Sequence, residues 1–367
     1  MGSLPSPPSP RAPASENSGN NYKLWGSFYS PNTSMPNWIA YYEPSTNTWS
    51  QVRLIPGLEE NQVLKGFAMV SIGYYIFIIG GRLCKYGALH DSEDVEEINI
   101  KVLSTIHRYD TLNHIWSTCA PLGTPRFDFA CTVCDNKIYV AGGQSTSGCA
   151  RGIPSAEMYD PDVDLWTLLP KMSTLRYKSA GVTWQRKIHV VGGFAEKEDC
   201  CQPVLYTMLR SSAEVFDPCR GEWDLAEGMW KLDIPPNQIV AVDGKLFSSG
   251  DCLNTWKGHI EIYDGDLKIW NIMNGSKVQN LSSLISTWVE NKYPIELRYL
   301  RMATVGTHLY FVAGYCNTGE VCGLFSVVHS FDTSLGADPS WNSSEPIKEE
   351  AENLMCCHTC VVQVPKI

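Results

Sequence analysis

Apolar and polar residues alternate in short stretches along most of the chain, and turn-forming residues separate these stretches. In one representative region the pattern predicts strands at Phe127–Val133, Lys137–Ala141 and Ala156–Tyr159, and Trp166 begins a fourth strand. The stretches are rich in Val, Ile and Tyr, and Asn, Asp, Pro and Gly lie between them, which is typical of antiparallel strands joined by tight turns. The sequence therefore predicts an all-β fold built from four-stranded units.

One hairpin pattern recurs six times along the chain. An aromatic residue is followed by an acidic residue, and a Trp comes seven positions after the aromatic residue, or ten positions after it in the last copy. The six pairs are Tyr42/Trp49, Tyr109/Trp116, Tyr159/Trp166, Phe216/Trp223, Tyr263/Trp270 and Phe331/Trp341. One small sheet cannot bury such large side chains alone, so we expect them to pack against a neighbouring unit, as in repeat proteins.

A glycine pair ends the second predicted strand of three units. The pairs are Gly80-Gly81, Gly142-Gly143 and Gly192-Gly193, with degenerate forms at Ser249-Gly250 and Ala313-Gly314. Such pairs suit a backbone with positive φ, or a backbone that approaches a neighbour too closely for a Cβ. An arginine precedes the first strand of the following unit at Arg126, Arg176 and Arg301, and Lys65 takes this place in the first interval.

With Gly-Gly, Tyr-Asp and Trp in fixed order, the chain resembles the kelch repeat from about residue 21 to 364. The resemblance implies that each four-stranded unit is one blade of a β-propeller. The unit lengths and degenerate glycine pairs are similar to those of plant F-box/kelch-repeat proteins, in which a helical F-box joins a ubiquitin ligase and the propeller holds a substrate. Residues 1–20 are too few and too rich in Pro for an F-box, so no direct ligase contact of that type is predicted.

The two ends of the chain are predicted to share one blade. The N-terminal hairpin, Trp38–Leu54, follows a single strand at Tyr22–Phe28, whereas His358–Val364 is a strand with no hairpin after it. Pairing these segments removes two exposed sheet edges, which otherwise promote aggregation. We therefore predict a six-bladed kelch β-propeller over residues 21–367, preceded by a disordered Pro/Ser-rich tail over residues 1–20.

Antiparallel connectivity places the loops after the glycine pairs and the loops between units on one face, and the insertions lie in these loops. Variable loops on a rigid scaffold commonly carry recognition. The candidate partner-binding residues on this face combine cations with aromatics, which suits an acidic partner segment or a small anion. They are Lys65, Arg82, Arg126, Phe127, Arg176, Tyr177, Trp256, Lys257 and Arg301. The alternative role of the arginines is to brace neighbouring loops.

Composition narrows the class of protein further. The net charge is −10, which argues against a nucleic-acid partner. No apolar run approaches the roughly 20 residues that span a bilayer, and the N-terminus does not resemble a signal peptide, so no stable membrane association is predicted. Fourteen Cys in 367 residues are too few for a small disulfide scaffold. We therefore expect reduced thiols and a cytoplasmic, possibly nuclear, location.

Motifs that would indicate catalysis are few. Cys131/Cys134 and Cys357/Cys360 have zinc-like spacing, but residues three apart on a strand point to opposite faces, so core filling is the better interpretation. We predict no catalytic residue, no metal ligand and no cofactor. The leading hypothesis is a non-enzymatic module that binds a partner or substrate protein through the insertion-bearing face. Ligands from separate blades leave no local signature, so the alternative is a propeller enzyme with a metal or small-molecule site at the channel mouth.

Overall fold

The computed structural model of the 367-residue chain describes ten segments. They are residues 22–31, 35–88, 95–197, 208–231, 234–250, 259–276, 295–317, 323–334, 341–349 and 354–364. The predicted tail over residues 1–20 lies outside the described residues.

Strands dominate the regular secondary structure of the described residues and helix is almost absent from them, which confirms the predicted all-β class. The first fifteen strands are β1 (Tyr22–Tyr29), β2 (Trp38–Glu43), β3 (Thr48–Leu54), β4 (Gln62–Lys65), β5 (Ala68–Ile72), β6 (Tyr75–Ile79), β7 (Arg82–Ala88), β8 (Val95–Val102), β9 (Ile106–Asp110), β10 (Ile115–Cys119), β11 (Ala130–Cys134), β12 (Lys137–Ala141), β13 (Ala156–Asp160), β14 (Leu165–Leu169) and β15 (Leu175–Tyr177). The next fifteen are β16 (Ala180–Trp184), β17 (Lys187–Val191), β18 (Phe194–Glu196), β19 (Ala213–Asp217), β20 (Glu222–Ala226), β21 (Ile239–Val242), β22 (Lys245–Ser248), β23 (Glu261–Asp264), β24 (Ile269–Ile272), β25 (Ile295–Val305), β26 (His308–Asn317), β27 (Leu324–Asp332), β28 (Trp341–Ser343), β29 (Ile347–Lys348) and β30 (Met355–Gln363).

Within the described segments, six antiparallel sheets each contain a path of four strands. Their orders are β3-β2-β1-β30, β10-β9-β6-β5, β11-β12-β13-β14, β16-β17-β19-β20, β21-β22-β23-β24 and β25-β26-β27-β28, with β29 paired to β27. One edge strand of each sheet contacts the corresponding strand of the next sheet, in the cyclic order β30, β5, β11, β16, β21, β25 and back to β30. The sheets therefore surround a central axis as the blades of a β-propeller.

The ring closes through the two ends of the chain, as predicted. Strand β1 pairs antiparallel with β30 from Tyr22 opposite Gln363 to Tyr29 opposite Met355, with an irregularity between Ser27 and Phe28. Strand β30 then contacts β25 on one side and β5 on the other. The C-terminal strand is thus the innermost strand of a sheet whose other three strands come from the N-terminal part of the chain.

The recurrent aromatic residue and Trp lie directly opposite each other in all six hairpins. The Tyr109 and Trp116 rings, for example, have centroids 4.8 Å apart. The acidic residue after the aromatic closes the turn: the Asp110 carboxylate accepts hydrogen bonds from the backbone N–H groups of Leu112 and Asn113. Asp and Asn favour such turns because their side chains can bond the backbone two or three residues ahead.

The indole groups also tie adjacent sheets together. Trp166 Nε1 donates a hydrogen bond of 2.9 Å to the Ala120 carbonyl, which follows the outer strand of the preceding sheet. Trp223, Trp270 and Trp341 make the equivalent bond to the carbonyls of Pro170, Met229 and Ser276. Since these four of the six recurrent Trp residues bond the neighbouring sheet, each of them supports both its own hairpin and the ring.

The predicted positive φ of the glycine pairs is confirmed. Gly142 and Gly143 have φ of 69° and 89°. A Cβ on Gly142 would lie 2.5 Å from the Arg176 carbonyl oxygen, and Gly143 N–H donates a 2.7 Å hydrogen bond to that same oxygen. Both glycine properties operate here, because the corner adopts a left-handed conformation and the next sheet's backbone packs directly on it.

Two predictions about local structure are corrected. The insertion that begins at Arg82 is not a plain loop, because β7 and β8 form a hairpin that joins β4 in a three-stranded sheet. The prediction that all fourteen thiols are reduced is wrong at Cys316, which is disulfide-bonded, whereas nine other described cysteines are free. Cys316 lies near the end of β26, next to an insertion. Its place in a buried strand therefore does not prevent its sulfur from forming a disulfide.

Removing the closing strand tests the role of the β1–β30 pairing. We expect that deletion of residues 355–367 makes the protein insoluble or lowers its melting temperature sharply, because β1, β25 and β5 all lose their contacts with β30. Deletion of residues 1–20 is the control, and we expect little change because this segment has few apolar side chains. A monomeric 355–367 deletion that melts like the full chain would contradict the closure.

Candidate functional site

The innermost strands of all six sheets enclose a central channel with a cavity of about 580 Å³. One mouth of this channel carries the segments that precede each innermost strand and those that follow each glycine pair. These segments pair with each other: β4 pairs with β7, β15 pairs with β18, and Phe127 forms a backbone bridge with Gln144. The structure therefore places both kinds of loop on the same side, as the connectivity predicts, and we call this side the loop face.

Arg126 lies beneath the loop face as a buried brace, with no exposed surface. Its guanidinium donates hydrogen bonds to the carbonyls of Gly142, at 2.8 Å, and Ser155, at 3.0 Å, and pairs with the Glu157 carboxylate at 2.5 Å. Its own carbonyl accepts a bond from Gly81 N–H in the preceding sheet. The residue thus links two sheets, and burial lowers its pKa while the Glu157 charge opposes that shift.

Arg176 repeats this arrangement one sheet further on and is also fully buried. It donates hydrogen bonds to the carbonyls of Gly192, at 2.9 Å, and Ser212, at 3.2 Å, and its Nε bonds the Thr174 hydroxyl. Burial lowers the pKa of Arg176 to about 10, against the charge of nearby Glu214. For both arginines the geometry favours the bracing alternative, and their contact with a partner stays an untested prediction.

Lys65, Arg82 and Phe127 come together on the loop face around a residue that the sequence did not single out. The Glu97 carboxylate, on β8, pairs with both Lys65 and Arg82. The Arg82 guanidinium also lies 5.4 Å from the centre of the Phe127 ring. These contacts anchor the β7–β8 hairpin on the propeller. The two cations therefore share one carboxylate inside the protein. Burial raises the pKa of Glu97, but the hydrogen bond and charge of Lys65 and the charge of Arg82 outweigh it and leave this pKa below its usual value.

The remaining candidates lie elsewhere. Tyr177 stacks on Phe194 with ring centroids 5.0 Å apart, on the small β15–β18 sheet. Trp256 and Lys257 lie outside the described residues. Arg301 lines the channel itself and donates hydrogen bonds to the Cys357 carbonyl and, at 3.3 Å, to Asn237 Oδ1. The seven candidates that the structure describes are thus spread over the braces, the two small loop-face sheets and the channel, and do not form one cation ring.

The channel mouth near Arg301 contains the Cys357-His358 pair of β30. Burial raises the pKa of the Cys357 thiol to about 12 and, together with the Arg301 charge, lowers the pKa of His358 to about 3. At neutral pH the thiol is therefore protonated and the imidazole is uncharged. The described residues contain no group of three His, Cys, Asp or Glu side chains arranged to hold a metal ion. Among those same residues no helix is long and apolar enough to cross a membrane.

Three buried glutamates were missed by the sequence reasoning. Glu157, Glu214 and Glu261 are at most 5% exposed, and each bonds the segment that leaves the preceding sheet. Glu157, for instance, accepts a 2.7 Å hydrogen bond from Gly123 N–H, and Glu214 accepts one of 2.9 Å from the Thr174 hydroxyl. A sequence pattern could have identified these glutamates, because in three repeats a Glu stands two positions before the recurrent aromatic residue.

Comparison with known proteins identifies the class. The family model of the Kelch motif matches residues 125–173, which hold Arg126 and the whole β11–β14 sheet. The chain is 31% identical over 196 residues to an F-box/kelch-repeat protein of Arabidopsis thaliana, covering 53% of this chain and 46% of that protein. It is 28% identical to the F-box/kelch-repeat protein SKIP30 of the same plant, covering 59% and 56%. Beta-scruin of Limulus polyphemus is 27% identical over 44% of the chain and 16% of its own length.

These matches, together with the six repeated hairpins and the ring of sheets, show that the chain contains a Kelch motif, resembles F-box/kelch-repeat proteins and folds as a β-propeller. The predicted resemblance is thereby confirmed. The chain spans about half the length of the plant relatives named above.

A buried arginine brace is testable through stability. We expect that Arg126→Ala lowers the free energy of unfolding by about 3 kcal/mol or more, because the buried Glu157 carboxylate loses its cation. Chemical denaturation measures the change. Arg186→Ala is the matched control, since Arg186 forms an exposed ion pair with Asp135 and we expect little effect. Equal stability of the two variants would contradict the brace.

The low pKa of His358 predicts a specific pH dependence. An unfolded His has a pKa near 6.5, so below that pH the unfolded chain binds a proton that the folded channel does not accept. The contribution of His358 to stability is therefore present above about pH 6.5 and is lost progressively towards about pH 3. We expect the free energy of unfolding of His358→Gln to fall less steeply with acidification than that of the original protein. An equally steep fall in a folded His358→Gln protein would contradict this assignment.

Proposed function

We propose that this kelch propeller is a non-enzymatic module that binds a partner protein through its loop face, at the free edge of the β7–β8 hairpin. Kelch repeats generally serve as protein-interaction modules, which supports a protein-binding role. The assignment of binding to the β7–β8 hairpin rests on an exposed apolar edge strand. Ile98 and Ile100, on β8, are 53% and 46% exposed.

Strand β8 is an edge in the described sheet, because β7 pairs with one of its sides and no described strand pairs with the other. A bulge also leaves Ile100 without a direct partner in the register, between Asn99 opposite Cys84 and Lys101 opposite Leu83. An edge strand presents unpaired N–H and C=O groups that an extended segment can complete. Exposed Ile side chains beside those groups provide apolar contact area for the same segment.

The hairpin is held in place before any partner binds. Glu97 connects it to Lys65 and Arg82, and Asn99 accepts a hydrogen bond from Arg82. Because these contacts already order the strand, binding at its edge costs less conformational entropy than the ordering of a free loop would. The internal cations thus support the recognition strand and need not contact the partner.

The charges around the isoleucines indicate the chemistry of the partner. Lys85 lies directly opposite Ile98, and Lys101 follows Ile100. Neither lysine forms an ion pair within the described part of the chain, and both are exposed. An extended segment that alternates apolar and acidic residues would satisfy the backbone edge, the isoleucines and the lysines together.

The relatives suggest a context for such binding. They combine a kelch repeat with an F-box in name, so we propose that the bound partner is a protein substrate selected by the propeller. A net charge of −10 supports a protein partner over nucleic acid. A cytoplasmic or nuclear location is part of the same proposal.

Peptide display tests the edge. We expect panning on the purified chain to enrich peptides with alternating apolar and acidic residues, and Ile98→Lys/Ile100→Lys to abolish their binding. Ile115→Lys/Leu168→Lys is the matched control, because these side chains are 62% and 74% exposed on outer strands of other sheets. Binding that survives the hairpin double variant, with both variants melting normally, would refute the proposed edge.

A further inference from the structure

Arg301 differs from Arg82 and Arg126 in how its charge is balanced. Arg82 and Arg126 pair with the carboxylates of Glu97 and Glu157. Within the described part of the chain, Arg301 pairs with no carboxylate, and its partners are the carbonyls of Cys357 and Leu300 and the amide oxygen of Asn237. These oxygens orient the guanidinium without cancelling its charge.

The hydrogen bonds of Arg301 also leave one end of the guanidinium available. Nε donates to Cys357, and Nη1 donates to Leu300 at 2.8 Å and to Asn237 at 3.3 Å, whereas Nη2 has no hydrogen-bond partner among the described residues. Arg301, Asn237 and Cys357 all line the central cavity of about 580 Å³. The structure therefore fixes a cation, with donor capacity to spare, at the wall of a ligand-sized space.

The surroundings of Arg301 add no further charge. The His358 ring packs at a tilt against the Phe67 ring, with centroids 4.7 Å apart, and its pKa of about 3 leaves it neutral. Gln238 is already committed, since its side chain bonds both the N–H and the carbonyl of Met302. Deeper in the channel the lining includes Met69, Val240 and other apolar side chains.

We propose that this channel mouth binds an organic monocarboxylate, with the carboxylate paired to Arg301 and the uncharged remainder of the molecule inside the channel. One guanidinium balances one carboxylate, and the two N–H groups of Nη2 can donate hydrogen bonds to its oxygens. A doubly charged phosphate would keep a negative charge uncompensated in a space whose other described lining groups are neutral. The rest of the described lining is uncharged and mixes hydroxyl groups, such as those of Ser71 and Thr359, with apolar side chains, so it suits an uncharged body better than a second charged group.

Calorimetric titration with defined probes tests this site. The probes are hexanoate and phenylacetate, with hexanamide and phenylacetamide as neutral isosteres. We expect each acid to bind the full-length protein about tenfold or more tightly than its amide, because only the acid pairs with the guanidinium. Equal binding of acid and amide, or no binding of either acid at millimolar concentration, would overturn the proposal.

Variants assign the effect to Arg301. We expect Arg301→Gln to remove the preference for acid over amide, and the exposed-site control Arg186→Gln to keep it. Arg301→Lys, which retains the charge, serves where the Gln variant does not fold, and it should keep a reduced preference. An unchanged preference in a folded Arg301→Gln protein would refute the role of this residue.

Two further comparisons test whether the carboxylate comes from a small molecule or from a partner protein, and whether the channel site is independent of the hairpin edge. A hexapeptide with a free C-terminal carboxylate is titrated beside its amidated form, and binding of the acid peptide alone, without the free acids, would overturn the small-molecule proposal in favour of a partner's carboxylate. The Ile98→Lys/Ile100→Lys protein should bind hexanoate normally. Loss of hexanoate binding in that folded variant would contradict a separate channel site.

Discussion

The antiparallel pairing of β1 with β30 is the constraint on which the rest of the molecule depends. A row of sheets related by packing alone has two open edges, and each edge exposes unpaired backbone groups and an apolar flank. Here the last strand of the chain supplies the innermost strand of a sheet begun by the first. Because β30 also packs on β25 and β5, one strand completes both the hydrogen bonding of its own sheet and the contacts around the ring.

Closure also determines the chemistry of the channel. Since β30 is an innermost strand, its Cys357 and His358 line the cavity beside Arg301, although more than fifty residues separate them from it along the chain. A purely N-terminal sheet would place other side chains there. The polar end of the channel is thus a consequence of the topology, and no local sequence motif could have predicted it.

The sequence predicted the recurrent parts of the fold because those parts depend on local interactions. The Tyr109/Trp116 hairpin, for example, needs only an aromatic pair, an Asp that closes the turn and a residue that tolerates positive φ, here His114. The Gly142-Gly143 corner likewise requires positive φ, and the two glycines themselves indicate this requirement. Because these motifs recur in several repeats, they can be distinguished from chance matches in the sequence.

The functional surface was less predictable because it depends on pairings between distant segments. Glu97 lies in an acidic run that the sequence suggests is solvated, yet β7–β8 pairing carries it to Lys65 and Arg82. Similarly, the residues before each first strand look like a ring of cations, but buried carboxylates such as Glu157 already balance some of them. The position of each carboxylate follows from strand register across blades, which the spacing of cations alone does not specify.

Charge balance therefore distinguishes scaffold from site in this propeller. A cation buried with a carboxylate gains little from a further anion, and removing it destabilises the fold, as expected for Arg126. A cation held only by carbonyl and amide oxygens, such as Arg301, keeps its field and can gain from an anion that enters from solvent. The two arginines occupy different places in the repeat. Arg126 precedes the innermost strand of its sheet, whereas Arg301 lies within β25, opposite Val312, at the position where Ala130 stands opposite Ala141 in the other sheet.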